Sequence, residues 1–233
     1  MAPVFFDVET DGLPPCNITV ACTLHEGVIK NWVSRDAAGK AVVMTSATAT
    51  ALAEYLDEVS DSGGSLVTFN GAKFDLQLLH DLVDTPETKA LVAGLARAHV
   101  DLMLSCALRL GYYTSMDSLA KGSLDSRRKT GSGLQAVTWW KSNKIDELLE
   151  YCGSDCRVLE ELHAKATEKK MLYRLPKNGG SRKAVDVSGA LVPVAKIVLE
   201  TPHREDWMRP NADILATTIE WLPRDVKRLK SSP

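Results

Sequence analysis

The chain has 233 residues, 45% of them apolar and 25% charged, with a formal net charge of −2. That length suits one sizeable core, or one domain with an appendage, and the composition excludes a disordered or fibrous chain. Near-neutral charge excludes a global field that gathers polyanions, although a cluster of acids can mask a local basic surface.

Val4, Phe5 and Phe6 form an apolar run without alternation, the pattern of a strand covered on both faces, and Asp7 and Glu9 interrupt it. Side chains two residues apart in a strand share a face, with α-carbons about 7 Å apart. Two carboxylates therefore project from one side of the strand exit, just before Asp11-Gly12 turns the chain. Like charges cost about 4 kcal/mol at about 4 Å and an effective dielectric of about 20. Either a hard divalent cation, magnesium or manganese, joins them, or they stand in a solvated loop.

Residues 17–25 and 28–33 are β-rich and separated by Glu26-Gly27, which predicts a hairpin added to the first strand, three antiparallel strands in all. Ser46 is placed to cap a helix through about residue 60, with Leu52, Tyr55, Leu56 and Val59 on one face. Residues 65–69 then return as a short strand parallel to the first. Asn70-Gly71 would ordinarily mark a hairpin, but Phe74, Leu78, Leu79 and Leu82 have helical spacing, so a strand-to-helix turn is expected. Asp75 falls in the first turn of that helix, where it serves either the helix dipole or a metal at the neighbouring strand's edge.

A helix over residues 86–98 and a short strand within 99–104 follow, with Asp101 expected to cap the next helix. Residues 115–120 read as a short helix. Residues 126–133, with Arg127, Arg128 and Lys129, form a basic loop that either contacts phosphates or is simply solvated. Trp139 and Trp140 are expected to pack. Ser142 or Asn143 opens the longest amphipathic helix, running to about residue 168, with Tyr151 and Asp155 one turn apart on one flank. An isolated Y-x-x-x-D is also satisfied by a hydrogen bond on a helix surface.

From about Met171 the pattern changes. Lys177-Asn178-Gly179-Gly180 marks a turn or linker, residues 185–200 are apolar and of undecided type, and Pro202, Pro210 and Pro223 break up the remainder. Residues 171–233 are expected as an extension draped on a 1–170 domain, with Trp207 and Trp221 as anchors. The cysteines, Cys16, Cys22, Cys106, Cys152 and Cys156, are odd in number and lack paired C-x-x-C spacing. With no charged and apolar leader after Met-Ala-Pro and no run of about 18 apolar residues, they predict a soluble, intracellular protein without a disulfide framework. Cys152 and Cys156, four apart, are either small buried hydrophobes or part of a soft-metal site.

Taken jointly and in order, D-V-E-T-D-G at a strand end, N-G-A-K-F-D opening a helix and Y-C-G-S-D on a late helix resemble the DEDD superfamily of 3′-5′ exonucleases. Tyr151, four residues before Asp155, matches the tyrosine branch; the histidine branch would place His where Glu150 stands. The resemblance covers residues 4 to about 165 and leaves the tail unmatched. It implies a ribonuclease H-like α/β fold: a mixed five-stranded sheet, three strands antiparallel and the others parallel, flanked by helices, with two divalent ions, Mg2+ or Mn2+. Asp7 would bridge both ions, Glu9 and Asp155 would hold the one nearer the attacking water, Asp75 would serve the other, and Tyr151 would orient that water or accept its proton. Thr10, Asn70 and Phe74 would contact the terminal nucleotide, with Phe74 equally able to pack, and Arg127, Arg128 and Lys129 would reach phosphates upstream. The partners implied are single-stranded DNA or RNA 3′ ends, with a polymerase or a replication or repair assembly as a further candidate. The rivals are a binding module of the same fold with little catalysis, and an endonuclease on it.

Overall fold

The computed structural model describes residues 2–124, 133–176, 180–200 and 221, the side chains of 198–200 excepted. The basic loop with Arg127, Arg128 and Lys129, the turn at residues 177–179, Trp207 and the three tail prolines lie outside the described residues.

β1 (Val4–Thr10) is the backbone of the architecture. It pairs antiparallel with β2 (Ile18–His25), which pairs antiparallel with β3 (Val28–Arg35) through the turn at Glu26 and Gly27, both at positive φ. A short β4 (Ala41–Val42) adds to β3. On its other side β1 runs parallel to β5 (Leu66–Thr68), and β5 runs parallel to β6 (Val100–Asp101). The result is a six-stranded mixed sheet of order β4-β3-β2-β1-β5-β6. The sixth strand, beyond the five expected, is the two-residue β4, too short to carry a periodic signal.

The alternation of β1 separates two cores. Val4, Phe6 and Val8 face a cluster built with α1 (Ser46–Asp61), α2 (Asp75–Leu82) and α3 (Pro86–Ala98). Phe5 faces the other, built with α4 (Leu102–Leu110), α5 (Met116–Ser123), α6 (Gly133–Lys141) and the long α7 (Ile145–Lys169). By the same alternation Asp7 and Glu9 point to the side covered by α7.

Two predicted helix starts move. Thr45, not Ser46, caps α1, accepting from Thr48 N–H with its side-chain oxygen. Neither Ser142 nor Asn143 opens α7. α6 ends at Lys141, Asn143 takes φ 54° in the connecting turn, and the first helical residue is Ile145. Beyond α7, β7 (Met171–Arg174) and β8 (Lys183–Asp186) form a separate hairpin on α5, and α8 (Val194–Glu200) follows. Leu172, Val185, Val194 and Ile197 are buried within the two clusters, and the undecided stretch 185–200 resolves into strand end and helix.

Candidate functional site

β1 extends past the end of β5, because the parallel register Val4↔Leu66, Phe5↔Val67 stops at Thr68. Val4 N–H points to the β5 side, donating to Ser65 O, so Val8 N–H points the same way but beyond the neighbouring strand. Asp75 fills that position: its Oδ1 accepts from Val8 N–H at 3.1 Å. The acid opening α2 is thereby fixed to the backbone between Asp7 and Glu9.

From the opposite side α7 packs on β1 and β2. Carboxylate oxygens of Asp7 and Glu9 and the sulfur of Cys152 lie within 4.8 Å of one another. Cys152 Sγ donates to Asp7 O at 3.5 Å and to Asp7 Oδ2 at 3.8 Å. Its thiol is pushed well above the ordinary range, first by burial, then by Cys22, Asp7 and Cys156, so it stays a neutral donor behind the acid. The Cys156 thiol is raised too, by burial first and then by the charges of Asp7, Cys22, Asp155 and Asp75. Carboxylates from the three separate motifs thus act on one buried sulfur.

Glu9 is 8% exposed, and Asp75, Asp155 and Tyr151 are each 3% exposed. Tyr151 and Asp155 therefore sit on the buried face of α7, which overturns the reading of Y-x-x-x-D as a surface hydrogen bond. Tyr151 is packed by Trp139, ring centroids 5.7 Å apart and planes tilted by 56°. Asp7 and Glu9 bring carboxylate oxygens within 4.8 Å of each other, and the positive charge that would offset them fits a hard divalent ion held by those oxygens.

The turn at residues 70–74 forms the second wall. Asn70 takes φ 79°, and its buried Oδ1 has no hydrogen-bond partner among the described residues. Gly71 is required there: a Cβ would stand 2.3 Å from Thr68 Oγ1, which accepts from Gly71 N–H. Phe74 packs on the first cluster and also lines a groove of about 360 Å3 with Pro14, Cys16, Lys73 and Gln77. Thr10 Oγ1 donates to Gly12 O at 2.9 Å and so closes the loop after β1.

Sequence reasoning missed one support of this wall, and it named the other, Trp221, as an anchor of the tail without finding its partner. Asp101 caps α4 as expected, accepting from Leu104 N–H, but its two oxygens also accept from Asn70 N–H and Ala72 N–H at 3.1 and 3.0 Å. Trp221 Nε1 donates to Ala72 O at 2.6 Å, and its ring lies 5.2 Å from that of His80. Nothing local announces either contact, because the partners lie 29–31 and 149 residues away.

Among the described residues no helix is long and apolar enough to cross a membrane. Comparison with curated proteins gives no match. The family model RNase_H_2, of the RNase_H superfamily, matches residues 4–167, a span from the start of β1 to the last turns of α7 that includes all four acids and Tyr151. The chain belongs to the RNase H superfamily, and its domain points to nuclease-type hydrolysis.

Proposed function

We propose that this protein is a metal-dependent 3′-5′ exonuclease of the tyrosine branch of the DEDD superfamily. It would hydrolyse phosphodiester bonds at single-stranded or frayed 3′ ends and release nucleoside 5′-monophosphates. The observation that carries this reading is the convergence of three distant motifs on the exit of β1: Asp75 accepts from Val8 N–H, and the Cys152 thiol of α7, one residue after Tyr151 and three before Asp155, donates to Asp7.

In this reading Asp7, Glu9, Asp75 and Asp155 hold two divalent ions. When bound, such ions lower the pKa of water and stabilise the leaving 3′-oxygen in an in-line attack on phosphorus. Asp7 is kept in orientation by the Cys152 thiol and Asp75 by the β1 backbone. A neutral phenol, with a reference pKa of about 10, is a poor base on its own, and Tyr151 serves to position the water that attacks. Trp139 holds its ring against α6 for that purpose. Asn70 Oδ1, buried and with no donor among the described residues, is offered to a sugar hydroxyl of the terminal nucleotide.

The test is incubation of the full chain with 5′-labelled DNA and RNA strands in manganese, with free and blocked 3′ ends. Stepwise shortening from free ends only is expected, and Asp7→Asn should abolish it without moving the thermal midpoint, since charge is removed at nearly constant volume. Intact strands at high protein concentration would reject the proposal, and cleavage of a circular single strand would replace it with an endonuclease.

A further inference from the structure

The turn that delivers Asp75 to the site is held from outside. Asp75 is the first residue of α2, a short helix, and Phe74 before it offers no capping side chain. Asn70, ahead of both, takes φ 79°, in the left-handed region. Leu76 N–H reaches back to Gly71 O at 3.0 Å, five residues rather than four, so the helix starts out of its regular ladder. An uncapped helix entered in this way has its register set by whatever fixes the turn.

Two distant side chains fix it, and both act on Ala72. That residue is fully buried, so its backbone N–H and carbonyl both need partners. The N–H donates to Asp101 Oδ2 at 3.0 Å, and the carbonyl accepts from Trp221 Nε1 at 2.6 Å. Asp101 Oδ1 also accepts from Asn70 N–H and from Leu104 N–H, which ties the turn to the start of α4. The Trp221 ring meets that of His80, in the last turn of α2, so this one side chain spans the helix from the turn before it to its far end. Three residues past Ala72, Asp75 Oδ1 accepts from Val8 N–H, between Asp7 and Glu9.

We propose that Asp101 and Trp221 are positioning residues for Asp75: by clamping Ala72 they fix the Asp75 carboxylate for the divalent ion it serves, a role that rests on the metal-dependent reading above. Neither is itself a ligand to the ion. Releasing either arm leaves a buried backbone group of Ala72 without its partner, the turn shifts to recover one, and Asp75 shifts with it.

The test measures manganese uptake by the full chain without nucleic acid, from the electron paramagnetic resonance of the free ion, well below the thermal midpoint of every variant. The ion lost in Asp75→Asn identifies the site concerned. Trp221→Phe keeps a ring and removes the N–H; Asp101→Asn keeps an oxygen to cap α4 but turns an amide NH2 on the turn. Trp221→Phe should weaken that site by about fivefold and Asp101→Asn by roughly tenfold or more, with any other manganese site unchanged. Strand shortening by Trp221→Phe should fall at low manganese and recover as manganese is raised. Trp32→Phe, which removes the indole N–H given to Thr23 Oγ1 between β3 and β2, is the matched control and should leave uptake unchanged. Wild-type uptake in Trp221→Phe overturns the clamp whatever its thermal midpoint, as does an equal loss in Trp32→Phe; Trp221→Phe decides alone if Asp101→Asn does not fold. Should the wild type take up manganese and cleave no strand while the clamp variants lose the Asp75 ion, the exonuclease reading fails and the clamp stands. Cleavage by the wild type with uptake indifferent to the clamp removes the clamp alone.

Discussion

Tyr151 has its ring against Trp139 and its backbone in the middle of a 25-residue helix, so its hydroxyl has little freedom of direction. Removing that hydroxyl should act on rate rather than on fold. Tyr151→Phe is expected to slow strand shortening by about 10²-fold, with its thermal midpoint kept, as single-turnover kinetics and calorimetry would show. Taken singly the acids were weak signals, Asp7 and Glu9 at strand spacing and Asp75 and Asp155 at helix positions, and only the order of the three motifs marked them together. Asp101 was legible only as a cap. Capping is local, reaching Leu104 three residues on, whereas its bonds to Asn70 and Ala72 cross from β6 to the preceding strand's turn, and only the parallel pairing of β5 and β6 makes them neighbours. Cys152 was weighed as a hydrophobe or soft ligand, and it is a neutral donor to Asp7, which spacing along α7 cannot reveal.

At the scale of elements, the hairpin of β7 and β8 depends on one missing side chain. A Cβ on Gly122 of α5 would stand 2.2 Å from the backbone oxygen of Tyr173, and no rotamer relieves a clash with backbone. Ser123 Oγ, next in the helix, accepts from Tyr173 N–H at 2.7 Å and donates to its carbonyl at 3.0 Å, so helix and strand are locked at that spacing. Gly122→Ala should cost about 1–3 kcal/mol, lowering the thermal midpoint by several degrees, as calorimetry would show. The antiparallel strands followed from apolar runs split by Glu26-Gly27, the return of β5 from its place after a helix, and the helical faces from apolar period. Element ends did not, since the start of α7 is decided by the left-handed turn at Asn143 and by the packing of α6, not by the polar residues that could have capped it.

At the scale of the whole molecule, two imidazoles set how the fold meets acid. His99 is fully buried, and burial lowers its pKa below the ordinary 6.5 even though Asp101 and two backbone carbonyls pull it up; His163, beside Phe5, is lowered by burial as well. Above the unfolded value both states are neutral there and nothing is lost. As pH falls through about 6.5 the unfolded chain takes up protons that the folded chain refuses, so stability should decline toward acid. A thermal-midpoint series from about pH 7.5 to about pH 5.5 should show that decline, and His99→Gln with His163→Gln should flatten it. The three thiols Cys22 on β2 and Cys152 and Cys156 on the inner face of α7 are each 0% exposed, while Cys16 is half-buried on the loop after β1. An alkylating reagent should therefore mark Cys16 promptly and the other three only when α7 lifts from the sheet. Mass-resolved labelling over time becomes a stopwatch for that opening, and bound manganese, by clasping strand to helix, should slow the hands for those three while leaving Cys16 ticking at its former pace.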